Sequence, residues 1–228
     1  MRFLRPLMRA AVTVLTCSAF LLVSCQHRPP VEMGKYRRPD LVELTHLDPT
    51  LRLDIRYATT NNFTGKPVYQ QARAFLQRPA AEALVRVHQG LKPKGYGLLI
   101  FDGYRPWSVT KFFWDTASSQ EREVEFVANP KNGSKHNRGC AVDLTLFDLA
   151  TGAEIKMPSA YDEFSERAYP RYSGGSAEER AARDLLRDAM EAEGFTVYRA
   201  EWWHFDYKDW REYPIINLPF EKIGEPSP

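Results

Sequence analysis

Apolar and polar positions alternate along Leu51-Arg-Leu-Asp-Ile-Arg-Tyr57, the period-two pattern of a half-buried strand. The cluster Asn61-Asn62-Phe63-Thr64-Gly65 then marks a turn or loop. From Ala80 to Leu91 the period lengthens to that of a helix, with Leu84, Val87, His88 and Leu91 on one face. Gly97-Leu-Leu-Ile-Phe101 is a short unbroken apolar run, as expected of a buried strand. Residues 107–128 read as helical until Pro130, Asn132 and Gly133 open a loop before His136. The clearest strand is Cys140 to Phe147, with Val142, Leu144 and Leu146 on one side and Ala141, Asp143 and Thr145 on the other. Ser176 and Glu179 have the spacing of a capping box, Leu185, Leu186 and Met190 form an apolar stripe, and Gly194 stands where a helix-ending glycine belongs. Together they predict a helix over 177–193. Phe195–Tyr198 and Trp202–Tyr207 close the chain as a pair of strands. With no internal repeat and no regular βαβ rhythm, the expected class is α+β, a small antiparallel sheet with flanking helices.

The N-terminus follows another logic. Arg2, Arg5 and Arg9 precede an apolar stretch, Ala10 to Val23, too short to span a bilayer and laid out like a secretory signal. Leu22-Val23-Ser24-Cys25 resembles the bacterial lipobox, in which the signal is cut before an acylated cysteine. Gln26 stands where an inner-membrane retention signal would have Asp, so the resemblance implies a lipid anchor in the outer membrane, facing the periplasm. The expected organisation is a signal peptide over 1–24, lipidated Cys25 and a polar tether over 25–40, and one catalytic domain over 41–228. As a flexible coil of about 15 residues, the tether would reach roughly 20 Å.

Composition narrows the function. The chain has 228 residues, 43% hydrophobic and 13% aromatic, with a formal charge of +2. That is too apolar for a disordered chain and lacks the basic character, a pI above about 9, of a nucleic-acid binder. Cleavage before Cys25 removes three arginines and no acid, which turns +2 into −1. Of the three cysteines, Cys17 would leave with the signal and Cys25 would carry lipid. Cys140 is then the one thiol of the folded part, and no internal disulfide is expected.

Five histidines are candidates for chemistry. His27 lies in the tether, His88 on the inner face of a helix, and His46 has no acid at ligand spacing. His136 has Asp143 seven residues on, and His204 follows Glu201 in Glu-Trp-Trp-His. Held by His136, Asp143 and His204, Zn²⁺ would keep a fourth tetrahedral position open, as catalytic zinc sites do. Glu201 would be left as general base. A flat strand would put Glu201 and His204 on opposite faces, so this reading needs Glu201 before the strand or at a bend. Spacing alone leaves metal binding and chance occurrence both open.

Ser134-Lys-His-Asn-Arg-Gly-Cys-Ala-Val-Asp143 resembles the S-x-H-x-x-G-x-A-x-D signature of zinc-dependent D-alanyl-D-alanine dipeptidases, and Glu201-Trp-Trp-His204 resembles their E-x-W-H signature. These enzymes belong with the lysostaphin, D-Ala-D-Ala peptidase and hedgehog-type folds. Tyr57-Ala-Thr-Thr-Asn-Asn-Phe-Thr-Gly65 and Asp102-Gly-Tyr-Arg-Pro106 match as well, so the similarity runs over about residues 40 to 215. The resemblance implies a zinc site in a cleft over the sheet, with His136, Asp143 and His204 as ligands and Glu201 as base. It makes Arg105 the stabiliser of the developing oxyanion, and Ser134 and Asp162 substrate-binding residues. Arg105 alone would read as a surface residue at a turn, and Asp162 as a helix cap or solvated acid. Cys140 falls on a variable position and reads as a small buried residue. The segment between Arg105 and His136 is shorter than in glycopeptide-resistance members, which bears on the lid and on substrate length. The lipobox likewise departs from cytoplasmic members. Trp202 and Trp203 read as core and pocket wall. The expected activity is hydrolysis of D-Ala-D-Ala in cell-wall peptide turnover. The alternatives are a D,D- or L,D-carboxypeptidase acting on peptidoglycan stems, and a wall-peptide-binding lipoprotein without catalysis. No nucleic-acid partner is expected.

Overall fold

A computed structural model describes residues 28–123 and 126–224. The signal peptide, Cys17 and the acylation site at Cys25 lie outside the described residues. In chain order the elements are β1 (Leu41–Glu43), α1 (Leu44–Leu47), β2 (Arg52–Leu53), β3 (Phe75–Gln77), α2 (Arg78–Leu91), β4 (Tyr96–Asp102), α3 (Trp107–Thr116), α4 (Ser119–Glu123), β5 (Ala141–Asp148), α5 (Ala177–Ala192), β6 (Phe195–Tyr198) and β7 (Glu201–Tyr207). The main sheet has the order β2-β4-β5-β7-β6, and β1 and β3 form a separate antiparallel ladder. The α+β class is as expected. The main sheet is mixed rather than wholly antiparallel, because the two-residue edge strand β2 runs parallel to β4.

One face of the sheet builds the core. Leu98 and Ile100 of β4 and Leu144 and Leu146 of β5 are buried with Leu84, Val87 and Leu91 of α2 and Leu186 and Met190 of α5. Helix α5 starts at the expected capping box, both of whose reciprocal hydrogen bonds are made, and Gly194 follows it at φ +87°. His88 is structural: its Nδ1 accepts the Leu98 N–H at 3.0 Å and its Nε2 meets the Thr50 hydroxyl at 2.9 Å. His46 sits at the surface, 3.6 Å from Glu43. Cys140 is buried and unpaired.

Three expectations change. The strand over 51–57 shrinks to Arg52 and Leu53, and Arg56–Ala58 turn as a 3-10 helix. The alternation marked real burial of Leu51, Ile55 and Tyr57, but the Tyr57 carbonyl accepts from Val68 and Tyr69 instead of a sheet neighbour. The helix over 107–128 breaks at Ala117, which is extended at ψ 145°. Ser118 and Glu121 then cap each other reciprocally and restart the chain as α4. The tether is no free coil over its described part. The Glu32 carboxylate pairs with Arg138 and accepts the Ile215 N–H at 2.7 Å. The Arg37 N–H donates to the Glu212 carbonyl at 2.7 Å. A partner 106 residues away leaves no mark on a local polar pattern.

Candidate active site

The opposite face of the sheet carries the chemistry. Asp143 on β5 lies across from Asp102 on β4 and from His204 on β7, so three neighbouring strands present one polar row. Asp143 is only 3% exposed. Asp143 faces a cleft of about 500 Å³ that Trp203 also lines, and Tyr161 packs between Phe101 and Trp203. Trp202 is buried, its indole N–H donating to Ser159 at 2.8 Å.

Two loops meet beside this row. After β4 the chain passes through Gly103, where a Cβ would lie 2.8 Å from the Phe75 carbonyl oxygen; only glycine permits that approach. The Arg105 N–H donates to the His136 carbonyl at 3.1 Å, and the Asn137 amide donates back to the Arg105 carbonyl at 2.9 Å. Ser134 lines the cleft, its hydroxyl accepting the His136 N–H at 3.2 Å.

The imidazoles of His136 and His204 converge on Asp143. His136 Nε2 is 3.3 Å and His204 Nδ1 3.1 Å from Asp143 Oδ1, and the two nitrogens are 3.1 Å apart. The far nitrogens fix the tautomers: His136 Nδ1 is 2.7 Å from the Gly103 carbonyl, and His204 Nε2 is 2.9 Å from Asp206. Both partners can only accept, so each far nitrogen carries a hydrogen, and in the neutral ring the near nitrogen turns its lone pair inward. Asp143 Oδ1 itself is buried without a hydrogen-bond partner. With His204 deprotonated, two lone pairs and this carboxylate oxygen converge on one point, and two imidazoles with one carboxylate suit Zn²⁺. Burial alone would lower the pKa of His204, but Asp206 and Asp143 outweigh it and raise it to about 10. A metal entering near neutral pH therefore displaces a proton.

Glu201 opens β7 where the β6–β7 register shifts between Val197 and Tyr198, so it sits at the irregularity that its role requires. Its Oε2 is 3.7 Å from His204 Nδ1, and it stands outside the three-residue metal cluster. Burial pushes its carboxyl up to about 8. The Arg105 guanidinium donates to Asp102 from Nε at 2.8 Å, and its Nη2 lies 2.8 Å from Asp102 and 3.5 Å from Asp143. The rings of Phe113 and Tyr57 flank it at 4.8 and 5.3 Å. Asp162, at φ +58° in the left-handed region, lines the same cleft and receives the Tyr57 hydroxyl at 3.2 Å. Burial first, then the charge of Asp143, pushes its carboxyl up to about 7.

All seven residues expected at the site thus line one cleft. The sequence reading assigned no role to Asp102, which anchors Arg105 and is itself held by the Tyr69 hydroxyl and the Gly103 N–H, both at 2.9 Å. Nor did it find Tyr161, which donates to Asp143 Oδ2 at 3.1 Å, or Asp206 behind His204. His204-x-Asp206 carried a signal, since residues two apart on a strand share a face.

The family described as D-Ala-D-Ala dipeptidase matches residues 37–222. The D-alanyl-D-alanine dipeptidase of Enterococcus faecium is 37% identical over 186 residues, covering 75% of this chain and 92% of the relative. That of Escherichia coli K12 is 33% identical over 188 residues, covering 82% and 95%. The solved structure of the LdcB LD-carboxypeptidase aligns with 77% of this chain and 71% of its own, at 22% identity and a TM-score of 0.45.

Proposed function

The chain belongs to the D-Ala-D-Ala dipeptidase family of metallopeptidases, and from that footing we propose that it hydrolyses free D-alanyl-D-alanine at a zinc site made by His136, Asp143 and His204. Bound zinc would polarise the scissile carbonyl and make water acidic enough to attack near neutral pH. Glu201, beside but outside the ligand set, accepts the proton of the attacking water and returns it to the leaving amine. Arg105, locked by Asp102, stabilises the charge that grows on the carbonyl oxygen, typically worth ~3–4 kcal/mol per well-placed donor. The Ser134 hydroxyl already accepts from the backbone, which leaves its own hydrogen for substrate.

The observation that carries the dipeptide reading is Asp162. A carboxyl buried in the cleft wall near Asp143 resists ionising until a cation joins it, and the ammonium of a free dipeptide is such a cation. A peptidoglycan stem brings an amide to the same place. Purified zinc-loaded protein is therefore expected to release D-Ala from free D-Ala-D-Ala, and chelation should stop it. Release only from a pentapeptide stem would replace this reading with that of a carboxypeptidase.

The lipobox and Gln26 support an outer-membrane lipoprotein facing the periplasm and working in cell-wall peptide turnover. Cys25→Ser is expected to move the protein from the membrane fraction to the soluble periplasmic fraction. A variant that stays with the membrane would remove the lipid anchor.

A further inference from the structure

A D,D-dipeptide near neutral pH carries an ammonium and a carboxylate, so a cleft that holds it needs a cation as well as an acid. Four cationic side chains line this cleft: Arg105, Arg122, Lys135 and Arg138. Three are matched by carboxylates. Arg105 is paired with Asp102 at 2.8 Å, Lys135 with Asp206 at 3.2 Å, and Arg138 with Glu32.

Arg122 differs. Among the described residues its guanidinium makes one hydrogen bond, from Nη2 to the backbone carbonyl of Asp115 at 3.3 Å. Three acids near it in sequence face elsewhere: the Asp115 carboxylate pairs with Lys111, that of Glu121 accepts the Ser118 N–H, and Glu123 is exposed and makes no ion pair with it among the described residues. Trp114 lies against the guanidinium, with its ring centroid 5.2 Å from the central carbon. Arg122 Nε is buried and has no hydrogen-bond partner among the described residues. A buried donor is costly to leave unmade. A carboxylate satisfies Nε and a terminal nitrogen together, in the two-pronged geometry that guanidinium offers.

We infer that Arg122 receives the C-terminal carboxylate of the substrate; this rests on reading the cleft as a D-Ala-D-Ala site. Arg122 and Asp162, which both line the cleft, then supply the two opposite charges that a free dipeptide matches, and together they select for length. A peptide extended at either end loses one of the two pairings, so the same geometry that welcomes the free dipeptide discriminates against stems.

The test compares D-Ala-D-Ala with its C-terminal amide in zinc-loaded wild type, Arg122→Gln and Arg122→Lys. Wild type is expected to favour the acid about 10- to 100-fold in kcat/KM, the range for a hydrogen bond to a charged group. In Arg122→Gln most of that preference disappears through a raised KM for the acid, with kcat within a few-fold and the amide unchanged. Arg122→Lys restores part of it, since it keeps the charge without the fork. Equal losses on acid and amide, or a wild type indifferent to the amide, would overturn the assignment. If zinc-loaded wild type hydrolyses neither compound, the underlying D-Ala-D-Ala reading fails first and the inference falls with it.

Discussion

Glu201→Gln is expected to keep zinc bound and to lower kcat by a factor of about a hundred to ten thousand, the usual contribution of a positioned general base. Gln matches Glu in size and hydrogen bonding but cannot take up a proton at the cleft wall. Glu201 lies outside the metal cluster, so its substitution removes no ligand. Nor should the fold suffer, because burial already opposes the charge of this carboxyl and a neutral amide avoids that cost. Steady-state kinetics with zinc determination on the same sample checks both halves. Turnover within tenfold of wild type would mean that another group is the base.

His204→Ala should give the complementary result, loss of the metal and with it of all turnover. Removing this imidazole leaves Asp143 Oδ1 facing His136 alone at 3.3 Å and leaves Asp206 paired only with Lys135 at 3.2 Å. Two ligands do not make the tetrahedral set on which catalytic zinc depends. After dialysis the variant is expected to hold little zinc, while Glu201→Gln treated alongside keeps its own. Tight stoichiometric zinc in His204→Ala would strike it from the ligand set. The two variants together separate loss of the proton acceptor from loss of the metal.

Much of this was legible in the chain. The alternation through β5 placed Asp143 opposite the Val142-Leu144-Leu146 face, and Ser176 with Glu179 placed the start of α5. The motifs around His136 and His204 named, through the resemblance rather than through spacing alone, the three residues that the strands bring into one cluster. What escaped was non-local. Tyr57 belonged to an alternating run, yet its backbone bonds to Val68 and Tyr69, which no period-two count foresees. Asp102 and Asp206 read as ordinary acids until the strands set one against Arg105 and the other against His204. The break at Ala117 was readable, since Ser118 and Glu121 have capping-box spacing.

The docking of Glu32 would give the proposed lipid anchor a mechanical meaning. Six residues lie between Cys25 and Glu32, a leash of ~25 Å at full stretch, so with Cys25 acylated the domain could not wander far from the bilayer. The leash ends on Arg138, two residues from His136 in the same short turn. A pull through such an anchor would load Arg138 and Ile215 together, the first in the turn of His136, and would set the orientation of the cleft as well as its address.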